Sequence, residues 1–278
     1  MTIVHRLKGT KEMSQPGVTL ALSSGGARGL AHIGVLKVLD RYQIPIRGIA
    51  GSSMGGLVGA LYCTGYTGLM LEEVALGIRR SDWLDFSLSK MGVVAGRKLE
   101  GLLSLLTRGR RFEECQPPLK VVAVDIESAT PVVIDSGSLA RGVRATVSIP
   151  GIFSPVVHEG RVLVDGGVLN RVPVDVARQW PGNVLVAVDV GVELATKVGS
   201  MFDVLFQTFD IMARQLRQYQ QLDADIVIEP DLTLSRDAHF SQIGTIIAAG
   251  ERAAEAAMPS LLGLLGTGIT KADEGSAL

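Results

Sequence analysis

"IRGIAGSSMGGLVGALYCTG", Ile46 to Gly65, joins a short apolar run to a helical pattern through two serines set among glycines. The first part reads as a buried strand, the last as a helix, and the glycines between them as a tight strand-to-helix turn. The same order recurs outward in both directions. "VTLALS" (from Val18) leads into "LAHIGVLKVLDRY", "VLVAVDV" (from Val184) into "MFDVLFQTFDIMARQLRQYQQL", and "ADIVIEP" (from Ala224) into "IGTIIAAGERAAEAAMPSLLGLL". Strands alternating with helices of this length predict an α/β fold with a mostly parallel central sheet and helices on both faces. "LKVVAVDI" and "TPVVID", separated by "ESA", read as one antiparallel hairpin set into that sheet. "SLARGVRATVS" and "RVLVD" follow as a helix and a further strand.

No Gly-, Ser- or Pro-rich linker interrupts the alternation, so one domain is expected over residues 18–266, with a polar, flexible leader at 1–17 and a polar, flexible tail at 267–278. The 278 residues are 47% hydrophobic and 20% charged, a composition that excludes a disordered or fibrous chain. A formal charge of −1 provides no general attraction to nucleic acid, so any basic site must be local. Cys63 and Cys115 are far apart and lack metal-ligand spacing, which predicts neither a disulfide framework nor a metal site. The N-terminus has no signal-length apolar run and no segment has the length of a membrane span, so a cytoplasmic address is expected.

Chemistry concentrates at three places. Gly51-Ser52-Ser53-Met54-Gly55 fits G-x-S-x-G between a strand and a helix, and the frame selects Ser53, because a centre at Ser52 would need glycine where Ala50 and Met54 stand. Upstream, Ser24-Gly25-Gly26-Ala27-Arg28-Gly29 carries a strand into a helix. Such a turn presents backbone N–H groups at the positive end of a helix dipole, a setting for phosphate or for an oxyanion. The Walker pattern is absent and the nearest dinucleotide match, Gly29-x-Ala31-x-x-Gly34, is degenerate, which disfavours phosphate.

A serine nucleophile needs a base. The histidines are His5 in the leader, His32 in the first helix, His158 and His239; only His239 has the chain order of an α/β-hydrolase triad. The alternative is Asp165, where the run "RVLVD" ends and Gly166-Gly167 follow at once, leaving room for another backbone to approach. Asp125, Asp135 and Asp189 also end strands, but no glycine pair follows them and each reads as a loop cap or turn former.

Taken together, Gly-Gly-Ala-Arg-Gly, Gly-x-Ser-x-Gly and Asp-Gly-Gly resemble the patatin-like phospholipase family, and most of all its small bacterial members related to the catalytic domain of neuropathy target esterase. "RATVSIPGIFSPV" (Arg144 to Val156) and "VVAVDIESATPVVIDSG" extend the likeness, which by motif runs from about Val18 to Pro173. The resemblance implies a three-layer α/β/α sandwich and a serine lipid acyl hydrolase without cofactor or metal. Ser53 would be nucleophile, Asp165 base, and the N–H groups of Gly25, Gly26, Ala27 and Arg28 the oxyanion hole. One departure stands out: the family usually has three glycines before the Ala-Arg pair, and here Ser24 occupies the first position.

The partners so implied are a lipid or ester substrate and possible peripheral contact with a membrane. "GRKLEGLLSLLTRGRRF" (Gly96 to Phe112) sets Leu99, Leu102, Leu103, Leu105 and Leu106 before Arg108, Arg110 and Arg111; it reads as a membrane-resting or lid helix, or as a core-facing helix with a solvated basic end. Two other functions remain beside the dyad: a Ser-Asp-His hydrolase using His239, and a non-catalytic module whose glycine loop holds a lipid headgroup or phosphate.

Overall fold

The structure, a computed structural model, describes residues 16–79, 82, 85–89, 92–181, 183–191, 199, 201–219, 222–233 and 242–266. The expected leader is therefore described only from residue 16, and the tail from residue 267 and His239 lie outside the described residues. Among the described residues no helix is long and apolar enough to cross a membrane.

Strand β1 (Val18–Leu22) is buried throughout and forms the middle of a parallel stack, with β10 (Val184–Val188) on one side and β2 (Ile46–Ser52) on the other. Beyond β10 lies β11 (Ile226–Ile228), and beyond β2 lies β5 (Leu119–Asp125), both parallel to their neighbours. Strands made of near-continuous β-branched and aliphatic residues suit this position, since both faces of a parallel sheet are covered. The rest of the sheet is antiparallel. β6 (Thr130–Ile134) completes the expected hairpin with β5, while β9 (Arg161–Asp165) pairs with β5 and with β8 (Val156–His158). The sheet is thus mixed. A separate small sheet, not foreseen from the sequence, joins β3 (Phe86–Ser89), β4 (Gly92–Val94) and β7 (Gly151–Phe153).

The period-two alternation along β1 divides the core. Val18, Leu20 and Leu22 belong to a large cluster with residues of α1 (Ala31–Arg41), α2 (Met54–Cys63) and α8 (Ile243–Leu265), such as Leu36, Val58 and Ile247. Ala21, Ala50 and Ala187 face the other way, onto Val174, Val176 and Ala177 around the four-residue helix α6 (Val174–Ala177) and onto Trp180. Small side chains on that face let a short helix lie close. Helices therefore flank the sheet, one layer thick with side chains and the other thin.

Of the remaining helices, α3 (Gly68–Gly77) packs on α1, and α4 (Arg97–Leu106) packs beside α5 (Leu139–Thr146). Leu99 and Leu103 are buried there, while Leu105 is 74% exposed, so much of the leucine face serves the core. Helix α7 (Met201–Tyr219) leaves Val204, Ile211, Met212 and Leu216 exposed, and is tied down by Asp210 to Arg28 at 3.3 Å and by Arg217 to Asp189 at 2.6 Å. Cys63 and Cys115 are buried free thiols.

Candidate active site

The register of β5 explains how residues 112 apart in sequence come together. One edge of β5 is paired continuously with β6. Along the other edge β2 runs parallel as far as Ser52, opposite Val122, and β9 runs antiparallel as far as Asp165, opposite Ala123. Two strands thus approach head-on along one edge of a third, and their carboxyl ends meet. Ser53 and Asp165 are the residues at that meeting point.

Ser52 completes the strand ladder, and Ser53 makes the turn, with φ 50° and ψ −121°, a backbone conformation disfavoured for a residue carrying a Cβ. Several contacts maintain it. The Ser53 N–H donates to Thr146 Oγ1 at 2.9 Å, and the Thr146 hydroxyl in turn donates to the Val122 carbonyl. The Ser53 carbonyl accepts the Leu57 N–H at 3.0 Å, opening α2. Gly55 lies so close to β1 that an added Cβ would stand 2.3 Å from the Leu22 carbonyl oxygen, so the turn closes only without a side chain there.

Asp165 is 6% exposed and its three local bonds fix both ends of the residue. Its N–H donates to the Ser148 carbonyl at 3.0 Å, its Oδ1 accepts the Gly167 N–H at 2.8 Å, and its Oδ2 accepts the Ser53 hydroxyl at 2.6 Å. Burial is the largest influence on this carboxyl and raises its pKa to about 6, against the hydrogen bonds from Ser53 and Gly167 and the nearby charge of Arg171, which favour the ionised form. A carboxylate so placed is a stronger proton acceptor than an exposed aspartate.

The glycine pair after Asp165 has the role its chemistry suggests. A Cβ on Gly166 would stand 2.1 Å from the Val122 carbonyl oxygen of the central strand, an overlap with backbone that no rotamer relieves. Gly166→Ala is expected to destabilise the fold by about 3 kcal/mol and to draw Asp165 away from Ser53, measurable as a lowered Tm with loss of the hydroxyl–carboxylate pair.

The loop from Ser24 reaches this corner through sheet order alone, because β1 and β2 are parallel neighbours with Leu22 opposite Gly51. It enters a 3-10 turn, Gly26–Leu30, in which Arg28 N–H donates to the Gly25 carbonyl at 3.1 Å. Arg28 N–H is thereby engaged, and the amides of Gly25, Gly26 and Ala27 precede the first bond of the turn. Gly29 lies against the side chain of Met54, the residue after Ser53.

The segment quoted above for its likeness contributes positioning groups that sequence reasoning assigned no task. Arg144, 2% exposed, donates to the carbonyls of Ala95, Gly96 and Ser154 and to Ser148 Oγ at 2.6 Å; Ser148 is the residue whose carbonyl holds Asp165. The four-residue spacing of Arg144 and Ser148 was visible in the sequence, and the convergence on Asp165 was not. Asp125 and Asp189 cap loops as read, taking the N–H of Glu127 and of Gly191. His32 is fully buried, bonded through Nε2 to the Ser23 carbonyl at 2.8 Å, and burial lowers its pKa to about 4. Among the described residues no cluster of three or more His, Cys, Asp and Glu side chains could hold a metal ion.

Solved structures share this architecture. VipD of Legionella pneumophila superposes with a TM-score of 0.57 over 88% of this chain and 67% of its own, at 12% identity, and the type III effector ExoU with 0.51 over 89% and 53%, also at 12%. An α/β fold whose strand-to-helix turn sets a serine on a buried carboxylate is the class so defined. The family model of the patatin-like phospholipases matches residues 20–178, and the chain belongs to that family. Similar relatives include an uncharacterised NTE family protein of Mycobacterium tuberculosis, 37% identical over 166 residues, and patatin-like phospholipase domain-containing protein 7 of the mouse, 31% identical over 196. The match covers 58% and 68% of this chain, but 45% of the mycobacterial protein and 14% of the mouse protein.

Proposed function

We propose that the protein is a serine acyl hydrolase of lipid esters, with Ser53 as nucleophile and Asp165 as the only side-chain base. The observation that carries this reading is the 2.6 Å hydrogen bond from Ser53 Oγ to a buried carboxylate, made from a turn in which Ser53 holds a positive φ. Asp165 takes the hydroxyl proton as Ser53 Oγ attacks the ester carbonyl, and the carbonyl oxygen gathers negative charge against the amides of Gly25, Gly26 and Ala27. Collapse expels the alcohol, which receives the proton from Asp165, and leaves an acyl-serine. Water, deprotonated by Asp165, then attacks the acyl carbon and releases the fatty acid while Ser53 regains its proton. The family to which the chain belongs supports lipid as the substrate class.

The sign of the pH dependence follows from the base. Asp165 must be ionised to accept a proton, so turnover is expected to fall as pH drops through about 6 and to level off above it. A limb centred near 4 would mean that the base is an exposed carboxylate instead. Fluorophosphonate labelling tests the whole reading: mass spectrometry of the labelled protein is expected to find the phosphonyl group on Ser53, with His239→Ala labelling at the wild-type rate. A folded wild type that takes no label at Ser53 refutes the hydrolase and favours a binding module, whereas loss of labelling in His239→Ala favours a triad.

A further inference from the structure

The acyl-transfer reading leaves one buried charge without a task. Arg171 lies six residues after Asp165 on the same connection, is 8% exposed, and has a buried Nε that finds no hydrogen-bond partner. Keeping a guanidinium in such a place costs several kcal/mol of desolvation, which apolar packing would avoid. Its remaining contacts all lead to the glycine loop and its neighbour. The Arg171 carbonyl accepts the Ser24 N–H at 2.9 Å, its Nη1 donates to Ser24 Oγ at 3.3 Å, and its Nη2 donates to the Gly191 carbonyl at 2.5 Å. Ser24 is thus gripped by main chain and side chain of one residue. Its hydroxyl occupies space left open by Gly167, where a Cβ would stand 2.4 Å from Ser24 Oγ. The serine that replaces the first glycine of the loop, the glycine after Asp165 and the buried arginine are mutually fitted.

We propose, resting on the hydrolase reading, that Arg171 is a positioning residue of this site: through Ser24 it sets the amide loop against the Ser53–Asp165 pair and brings a buried positive charge to the same corner. The residues 165–171 then act as a single strap, carrying the base at one end and the anchor of the oxyanion loop at the other. A displacement of the loop by about 1 Å would weaken stabilisation of the developing oxyanion on the order of tenfold or more. The charge acts separately, favouring the ionised form of Asp165. Around Arg171 stand Arg28, which opposes its charge, and Asp189, Asp210 and Asp165, which favour it. Around Asp165 stand the Ser53 hydroxyl, the Gly167 N–H and Arg171. His32 nearby stays neutral above about pH 4 and adds no charge in the range of interest.

Two variants separate the parts. Ser24→Ala breaks the side-chain grip and keeps the charge; Arg171→Gln keeps an amide donor near Ser24 and removes the charge. Fluorophosphonate labelling rate across pH and hydrogen exchange of the Ser24 and Arg28 amides are measured on both, with Tm as control for folding. Ser24→Ala is expected to exchange faster in the loop and to label about tenfold more slowly at every pH, its acid limb unmoved. Arg171→Gln is expected to move the acid limb to higher pH, because the cation that favoured the carboxylate is gone. Wild-type loop exchange in both variants, or an unmoved acid limb in Arg171→Gln with only a lowered Tm, overturns the proposal and leaves Arg171 a packing residue. A wild type that takes no label defeats the hydrolase reading instead, and loop exchange then decides the clamp by itself.

Discussion

Ser53→Ala is expected to lose ester turnover on the order of 10⁵-fold while remaining folded, since the proposed nucleophile and its covalent intermediate vanish together. Residual rate above solvent would come from the loop amides and from binding alone. The backbone adds a second readout. Ser53 holds φ 50° and ψ −121°, and alanine would bear the same strain, whereas glycine would not. Ser53→Gly is therefore expected to be as inactive as Ser53→Ala but more stable by about 1 kcal/mol, after allowing for the greater freedom of glycine in the unfolded chain. Equal stability of the two would show that Thr146 and Gly55 impose no strain on the turn, and a Ser53→Ala variant with appreciable turnover would move the nucleophile elsewhere.

The second large effect comes from Asp165→Asn, which keeps the side-chain shape and one acceptor oxygen, for the Gly167 N–H, but puts an NH2 donor where Oδ2 meets Ser53 Oγ and so removes the proposed proton acceptor. Turnover is expected to fall on the order of 10⁴-fold, the upper end of what a positioned general base contributes. Stability is expected to change in the opposite direction. Burial raises the Asp165 pKa from 3.8 to about 6, so the folded state binds a proton more tightly than the unfolded state. Stability is greatest below pH 3.8, where both states are protonated, and declines as pH rises through about 6. At neutral pH the ionised carboxylate costs about 3 kcal/mol, taking about 1.4 kcal/mol for each pH unit of difference. Asp165→Asn should recover part of that, giving a Tm above wild type at pH 7.5 and a difference that shrinks toward pH 4. A dead variant that is also less stable at pH 7.5 would indicate that the carboxylate serves structure first.

Legibility differed from element to element. The parallel strands from β1 to β11 were readable because a strand buried on both faces must be apolar at nearly every position, and "VTLAL" and "VLVAV" are. The β5–β6 hairpin announced itself by two such runs separated by three residues, "ESA". The three short strands of the second sheet did not, since runs of three or four residues leave no periodicity to find, and β7 joins β4 from nearly sixty residues away. The leucines of α4 showed a face but not what it met, and the burial of Leu99 and Leu103 beside α5 depended on where another helix lay.

At the site, residue type and spacing alone singled out Ser53, Asp165 and the glycine loop, because each is constrained locally: a turn that excludes side chains two residues from Ser53, two glycines behind an acid, amides exposed at a helix start. These are short-range steric facts, and a sequence records them directly. What only the tertiary structure decided is the head-on meeting of β2 and β9 along one edge of β5, the use of Thr146, Arg144 and Ser148 to hold the two ends, and the engagement of Ser24 by Arg171. Those depend on strand order and on hydrogen bonds between residues up to 147 apart, and the desolvation that raises the Asp165 carboxyl above an ordinary aspartate exists only once the chain has closed around it.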